Sequence, residues 1–221
     1  LTNPTNLVQT ATYTVTPTSG ATGACVGSSF TVTVTVNPKP VIPNQTATIC
    51  SGTAFTTSPI NASPTTIVPT GTTYTWTVAT NANVTGQSDQ TVSQSTISQT
   101  LTNLTNTVQT VVYTVTPTSG AAGNCVGATF TVTVTLSTRP IVANITPSSI
   151  CSGNLFSVTP VNGGGTSSND IVPTGTTYTW PLPVVTGGLT GGLVGTAQST
   201  IFGTLTNPTN LVQTATYTVT P

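Results

Sequence analysis

Seventeen residues, LTNPTNLVQTATYTVTP, stand at Leu1 to Pro17 and again, letter for letter, at Leu205 to Pro221. A third copy, LTNLTNTVQTVVYTVTP, lies at Leu101 to Pro117, so the copies are spaced by 100 and 104 residues. That period constrains the fold, because each unit must bury a core within about a hundred residues, the size of one small β-sandwich. The phase is fixed by GxCVGxxFTVTVT at Gly23 to Thr35 and Gly123 to Thr135, by ICSG at Ile49 to Gly52 and Ile150 to Gly153, and by IVPTGTTYTW at Ile67 to Trp76 and Ile171 to Trp180. Of the four-residue difference, one residue falls before Cys151 and three between Cys151 and Trp180, where Gly163, Gly164 and Gly165 read as an insertion in a surface loop. The chain therefore reads as a window on a longer array, with natural termini and any targeting signals expected outside it.

Alternation within one unit predicts strands. Thr31 to Val36 and Thr131 to Leu136 alternate Thr with Val or Leu, the period-2 pattern of a strand with one buried face. Tyr113 to Thr116 reads as a partner strand, joined through the turn-rich Pro117-Thr118-Ser119-Gly120 as a hairpin. Gly71 to Val78 reads as a central strand, Thr46 to Cys50 and Ala54 to Thr57 as short first strands, and Ser95 to Leu104 as one or two more. About seven short strands with turn signals between them predict an all-β protein of tandem Ig-like antiparallel β-sandwiches. Proline clusters at Asn37 to Pro43 and Ser137 to Pro140 set the boundaries. Residues 1–37 are expected to be the C-terminal part of one repeat, 38–138 a complete repeat, and 139–221 the N-terminal and central part of a third. Lys39 and Arg139 occupy equivalent junction positions and read as solvated spacer charges.

Composition narrows function. Of 221 residues only 2% are charged, with two Lys+Arg, two Asp and no His, and the formal net charge is zero. General acid–base chemistry recruits His, Glu, Asp, Lys or Cys in mutual reach, so no enzyme, cofactor or metal is expected. There is no electrostatic footprint for nucleic acid and no apolar run for membrane insertion. Asp89 and Asp170 stand at non-equivalent repeat positions and form no recurring acid pair. The glycine-rich Thr186 to Gly192 lacks the lysine of a phosphate loop and reads as a turn.

Four residues carry chemistry: Cys25 and Cys125 in the hairpin turns, and Cys50 and Cys151 in the ICSG segments. Two cysteines per unit allow one disulfide per repeat, and His is absent for a zinc site. Cys25–Cys50 with Cys125–Cys151, Cys50–Cys125 within one unit, and the cross pair are all possible; Cys50–Cys125 is favoured if the hairpin turn lies at the pole where the chain enters. Trp76 and Trp180, each two residues after a Tyr, read as core anchors together with Tyr113, although exposed rings would make a sugar-binding platform. The Thr faces read as the solvent side of an antiparallel sheet. Sequons at Asn44, Asn61, Asn83, Asn103 and Asn144 would mark surface positions in a glycosylating source.

Taken together, ICSG, YTW, TYTVTP and the Gly-Cys turn leading to FTVTVTVNPxP resemble the PKD-like and related Ig-like repeat modules of large secreted bacterial surface proteins, of the adhesin and gliding-associated kind. The resemblance implies an extracellular, modular structural protein and no reaction. The residues after Trp76 and Trp180, Thr77-Val78-Ala79 and Pro181-Leu182-Pro183, lack the Gly-Asp-Gly type turn of PKD domains proper, which weakens any calcium role. Without charge to keep copies apart, the expectation is a self-assembling extracellular filament or stalk whose partners are identical chains or repeats. The alternative is a carbohydrate-binding surface module with a surface glycan as partner.

Overall fold

A computed structural model describes residues 1–164 and 169–221; Gly165, the last residue of the expected glycine insertion, lies outside them. The regular elements of the described residues are all β-strands, and no helix among them is long and apolar enough to cross a membrane. The chain forms two compact units, one of residues 1–49, 53–101 and 110–135, the other of residues 50–52, 102–109 and 136–221.

The N-terminal segment is an antiparallel pair, β1 (Gln9–Val15) and β2 (Phe30–Val36), in register from Gln9 opposite Val36 to Val15 opposite Phe30. The central repeat contains β3 (Gln45–Cys50), β4 (Thr53–Thr57), β5 (Thr73–Ala79), β6 (Val84–Thr85), β7 (Gln90–Gln94), β8 (Ile97–Asn103), β9 (Gln109–Thr118) and β10 (Phe130–Ser137). Its strands form a five-stranded sheet ordered β3-β10-β9-β5-β7 and a three-stranded sheet ordered β4-β8-β6.

Each interior position follows from alternation. In β10, Phe130, Val132, Val134 and Leu136 are buried while Thr131, Thr133, Thr135 and Ser137 are half-buried on the other face. Val111, Tyr113 and Val115 of β9 and Tyr74 and Trp76 of β5 join the same interior, across which Phe55 and Tyr113 lie 5.2 Å apart at their ring centroids. A bulge lets β7 pair with Tyr74 through Gln94 and with Trp76 through Gln90.

The pairing of β3 with β10 is not antiparallel. The Thr131 N–H donates to Asn44 Oδ1 at 2.9 Å, and the Ser51 N–H donates to Ser137 O at 3.0 Å. β3 therefore runs in the same direction as β10, with Asn44 at the Phe130 end and Cys50 at the Ser137 end.

The third segment holds β11 (Leu155–Val158), β12 (Tyr178–Trp180), β13 (Val184–Val185), β14 (Gly195–Gln198), β15 (Ile201–Thr204) and β16 (Ala215–Thr216). They pair as β11-β15, β12-β14 and β13-β16, around a core of Tyr178, Trp180 and Ile201 with Phe156, Val158, Tyr217 and Val219 against it. Residues 142–150, which include the counterpart of β3, are in no strand. In the central repeat β3 is an edge strand whose ladder neighbour is β10, so the pairing and not local propensity makes it a strand.

Candidate interaction surfaces

The Leu-Thr-Asn sequence organises one end of each repeat. Asn103 is buried, and its side chain closes a turn: Nδ2 donates to Thr107 O at 2.8 Å, while Oδ1 accepts from Thr105 N–H at 2.9 Å and Thr105 Oγ1 at 2.8 Å. Asn3 and Asn207 make the same turn with Thr5 and Leu7 and with Thr209 and Leu211. A serine ties this turn to the ICSG segment, since Ser51 Oγ accepts from Asn103 N–H at 2.9 Å and Ser152 Oγ accepts from Asn207 N–H at 2.9 Å. The sequence reading missed both roles, although the recurrence of Leu-Thr-Asn with a Thr two residues on was the signal. Asn103 is also a correction to the sequon reading: its carboxamide is enclosed and fully engaged, whereas Asn44, Asn61, Asn83 and Asn144 are exposed.

The hairpin loops present their cysteines alike. Ser119 N–H donates to Cys125 O, Asn124 N–H to Ala121 O and Gly127 N–H to Pro117 O; the same three bonds recur from Ser19, Ala24 and Gly27. Gly123 and Asn124 have φ of 89° and 43°, so both residues before the cysteine take the left-handed conformation. Cys25 is exposed and Cys125 half-buried, while Cys50 and Cys151 are exposed.

No disulfide joins Cys25, Cys50, Cys125 and Cys151, and the favoured Cys50–Cys125 pairing is corrected by topology. The loop carrying Cys125 precedes Phe130, at one end of β10, whereas Cys50 is next to Ser51, which bonds Ser137 at the other. The strand from Phe130 to Ser137 separates those ends by roughly 20 Å at about 3.3 Å per residue, and a disulfide needs Cα atoms within about 7 Å.

The aromatic strand faces inward. Trp76 and Trp180 are 5% and 3% exposed, and their indole N–H groups donate to Ser88 O at 3.2 Å and Leu193 O at 3.0 Å. Trp76 borders a shallow cleft of about 200 Å³ with Gln90, Gln94 and Gln99, but too little of the ring is open to stack on a sugar. Another cleft, about 280 Å³, lies on the third segment against Pro160, Val161, Pro173 and Tyr178, and the described residues that line it carry no charge. Among the described residues no cluster of His, Cys, Asp or Glu could hold a metal ion. Asp89 and Asp170 each accept a backbone N–H at 2.8 Å, from Val78 and Ala143 respectively. Lys39 and Arg139 are exposed, Lys39 between the fully buried Pro38 and Pro40.

Burial raises the pKa of Tyr74, Tyr113, Tyr178 and Tyr217, because a phenolate in the interior loses its hydration. The Tyr113 hydroxyl donates to Gln99 Oε1 at 2.8 Å. Its counterpart Tyr217 has Gly203 where Gln99 would be, and its buried hydroxyl makes no hydrogen bond.

The most unusual surface is apolar. On β1 and β2, Tyr13, Val15, Phe30, Val32 and Val34 are 47, 37, 52, 41 and 37% exposed. Their counterparts Tyr113, Val115, Phe130, Val132 and Val134 are 0, 0, 3, 0 and 0% exposed in the central repeat. The same side chains thus form a sandwich interior in one place and an open face in the other.

Two sheets closed over a Tyr/Trp interior, with turns at both ends, define an Ig-like β-sandwich module. The family model of the PKD-like domain matches residues 1–40 and 47–140, more than half of the chain, which belongs to this family. Domains of this kind are commonly extracellular. No curated protein matches the chain.

Proposed function

We propose that the chain is a structural repeat segment of an extracellular bacterial fibre or adhesin stalk, with modules bounded at 37/38 and 138/139, that self-associates through its sandwich faces. The recurrence of the same module along the chain carries this reading. Strand exchange between copies is the contact: β2 leaves β1 and takes, beside residues 213–219 and 142–150 of a second copy, the place that β10 holds between β9 and β3. The sequence of residues 213–219 is identical to that of β1 at 9–15, so the ladder partner of β2 is already written there. Covering the half-exposed Phe30, Val32 and Val34 contributes about 1 kcal/mol each. Zero formal charge removes the repulsion that keeps most soluble domains apart. Catalysis has no part in this reading.

Sedimentation velocity and electron microscopy of the wild-type chain and of Val34→Asp test it. Val34 lies on the open face of β2, outside the central core, so the variant retains the central repeat's circular dichroism. The wild type should form end-to-end particles that grow with concentration and survive about 1 M salt, where exposed charge contacts are screened. Val34→Asp should remain monomeric. A wild type that stays monomeric at every concentration, or a variant that assembles equally well, refutes the proposal.

A further inference from the structure

The two cysteines of each repeat sit at opposite ends, and each end is seen packed against a junction segment of the same sequence position. At the first junction, a Cβ on Gly123 would come within 2.8 Å of Asn37 Nδ2, and one on Gly127 within 2.5 Å of Pro40 O. The loop that holds Cys125 is therefore pressed against residues 37–40. At the second junction, Ser51 N–H donates to Ser137 O at 3.0 Å, and a Cβ on Gly52 would lie 3.9 Å from Arg139 Nη1. The turn that holds Cys50 is therefore pressed against residues 137–139. Asn37 and Ser137 are equivalent residues, as are Lys39 and Arg139. One junction thus displays the hairpin cysteine and the other displays the ICSG cysteine, each within two residues of contact with the same junction position.

We propose that consecutive repeats are clasped by a disulfide between the ICSG cysteine of one repeat and the hairpin cysteine of the next. In this numbering Cys50 pairs with the Cys25 counterpart of the repeat that follows it, and Cys125 with the Cys151 counterpart of the repeat before. The clasp does not depend on association between chains. Both loops are shaped in advance: the three loop hydrogen bonds around Cys125 recur around Cys25, and the Ser–Asn tie beside Cys50 recurs beside Cys151. Formation proceeds by exchange with an external low-molecular-weight disulfide. One thiolate attacks it, giving a mixed disulfide and one released thiol, and the second cysteine then displaces the other half as a second thiol. Two cysteine thiols thereby lose two protons and two electrons, and the oxidant is reduced to two thiols.

The test extends the full chain by placing a copy of Thr18 to Val36 after Pro221, a join that reproduces the native Pro17-Thr18 sequence because residues 205–221 repeat residues 1–17. Cys25→Ser and Cys151→Ser are introduced, so that Cys50, Cys125 and the added cysteine remain. After treatment with oxidised glutathione, peptide mapping without reductant should link Cys50 to the added cysteine within one chain, with Cys125 still a thiol. Folding of the third sandwich is read independently from Trp180 fluorescence. The unextended chain with the same substitutions should keep Cys50 and Cys125 as thiols after identical treatment. A Cys50–Cys125 link, a link only between chains, or three persistent thiols in the folded extended chain overturns the clasp.

Discussion

Replacing Tyr113 and Tyr217, each by Phe, removes one phenolic oxygen from equivalent places in two repeats, and the two losses should differ in sign. Tyr113 donates at 2.8 Å to Gln99 Oε1, which also accepts the Ser88 N–H at 3.1 Å, so Tyr113→Phe deletes one hydrogen bond and leaves Gln99 still engaged. The cost should be about 1 kcal/mol, or about 5 °C in the melting of a domain this size. Tyr217 keeps its ring packing with Phe156, centroids 5.1 Å apart, while its hydroxyl is buried without a partner beside Gly203. Folding strips that hydroxyl of water and returns nothing, so Tyr217→Phe should gain about 1 kcal/mol. Hydrogen exchange read by mass spectrometry separates the two regions: amides of β9 should exchange faster in Tyr113→Phe, and amides of residues 213–219 slower in Tyr217→Phe. Equal destabilisation by both substitutions would refute the view that Gly203 leaves the Tyr217 hydroxyl unsatisfied.

Two further outcomes follow from burial. Gly120→Ala should cost the central repeat about 2 kcal/mol, because its Cβ would come within 2.5 Å of Gly71 backbone atoms and Thr70 O, whereas Gly20→Ala, with nothing within 4 Å, should be neutral; paired thermal melts decide this. Stability should hold below about pH 10 and fall as pH rises above it, since the unfolded chain releases phenolic protons that buried Tyr74, Tyr113, Tyr178 and Tyr217 retain. In Tyr13→Phe, which leaves only these four tyrosines, phenolate absorbance that appears near that pH without loss of circular dichroism would contradict it.

Period-2 alternation located β2, β5, β9 and β10 because a half-buried strand writes its two faces directly into sequence. β7 was not legible: Gln90 to Gln94 carries a single apolar residue, the exposed Val92, and becomes a strand by pairing through the bulge with Tyr74 and Trp76. The end of the repeat on which Cys50 lies was not legible either, since nothing local distinguishes a first strand running with the last from one running against it. Asn103 carried a glycosylation motif that coincides with an asparagine turn, and only burial separates the two meanings. Residues 142–150, which include the counterpart of β3, are in no strand although the alternation there is similar.

The parallel pairing of β3 with β10 has a mechanical consequence. The chain enters the repeat at the Asn44 end of one strand and leaves from the Ser137 end of the other. Tension along a tethered array pulls these neighbouring strands in opposite directions along their length, so the bonds between them are loaded together in shear and do not open one after another like a zip. Each repeat then behaves as a stiff link that resists stretching until its first and last strands slide apart as a whole.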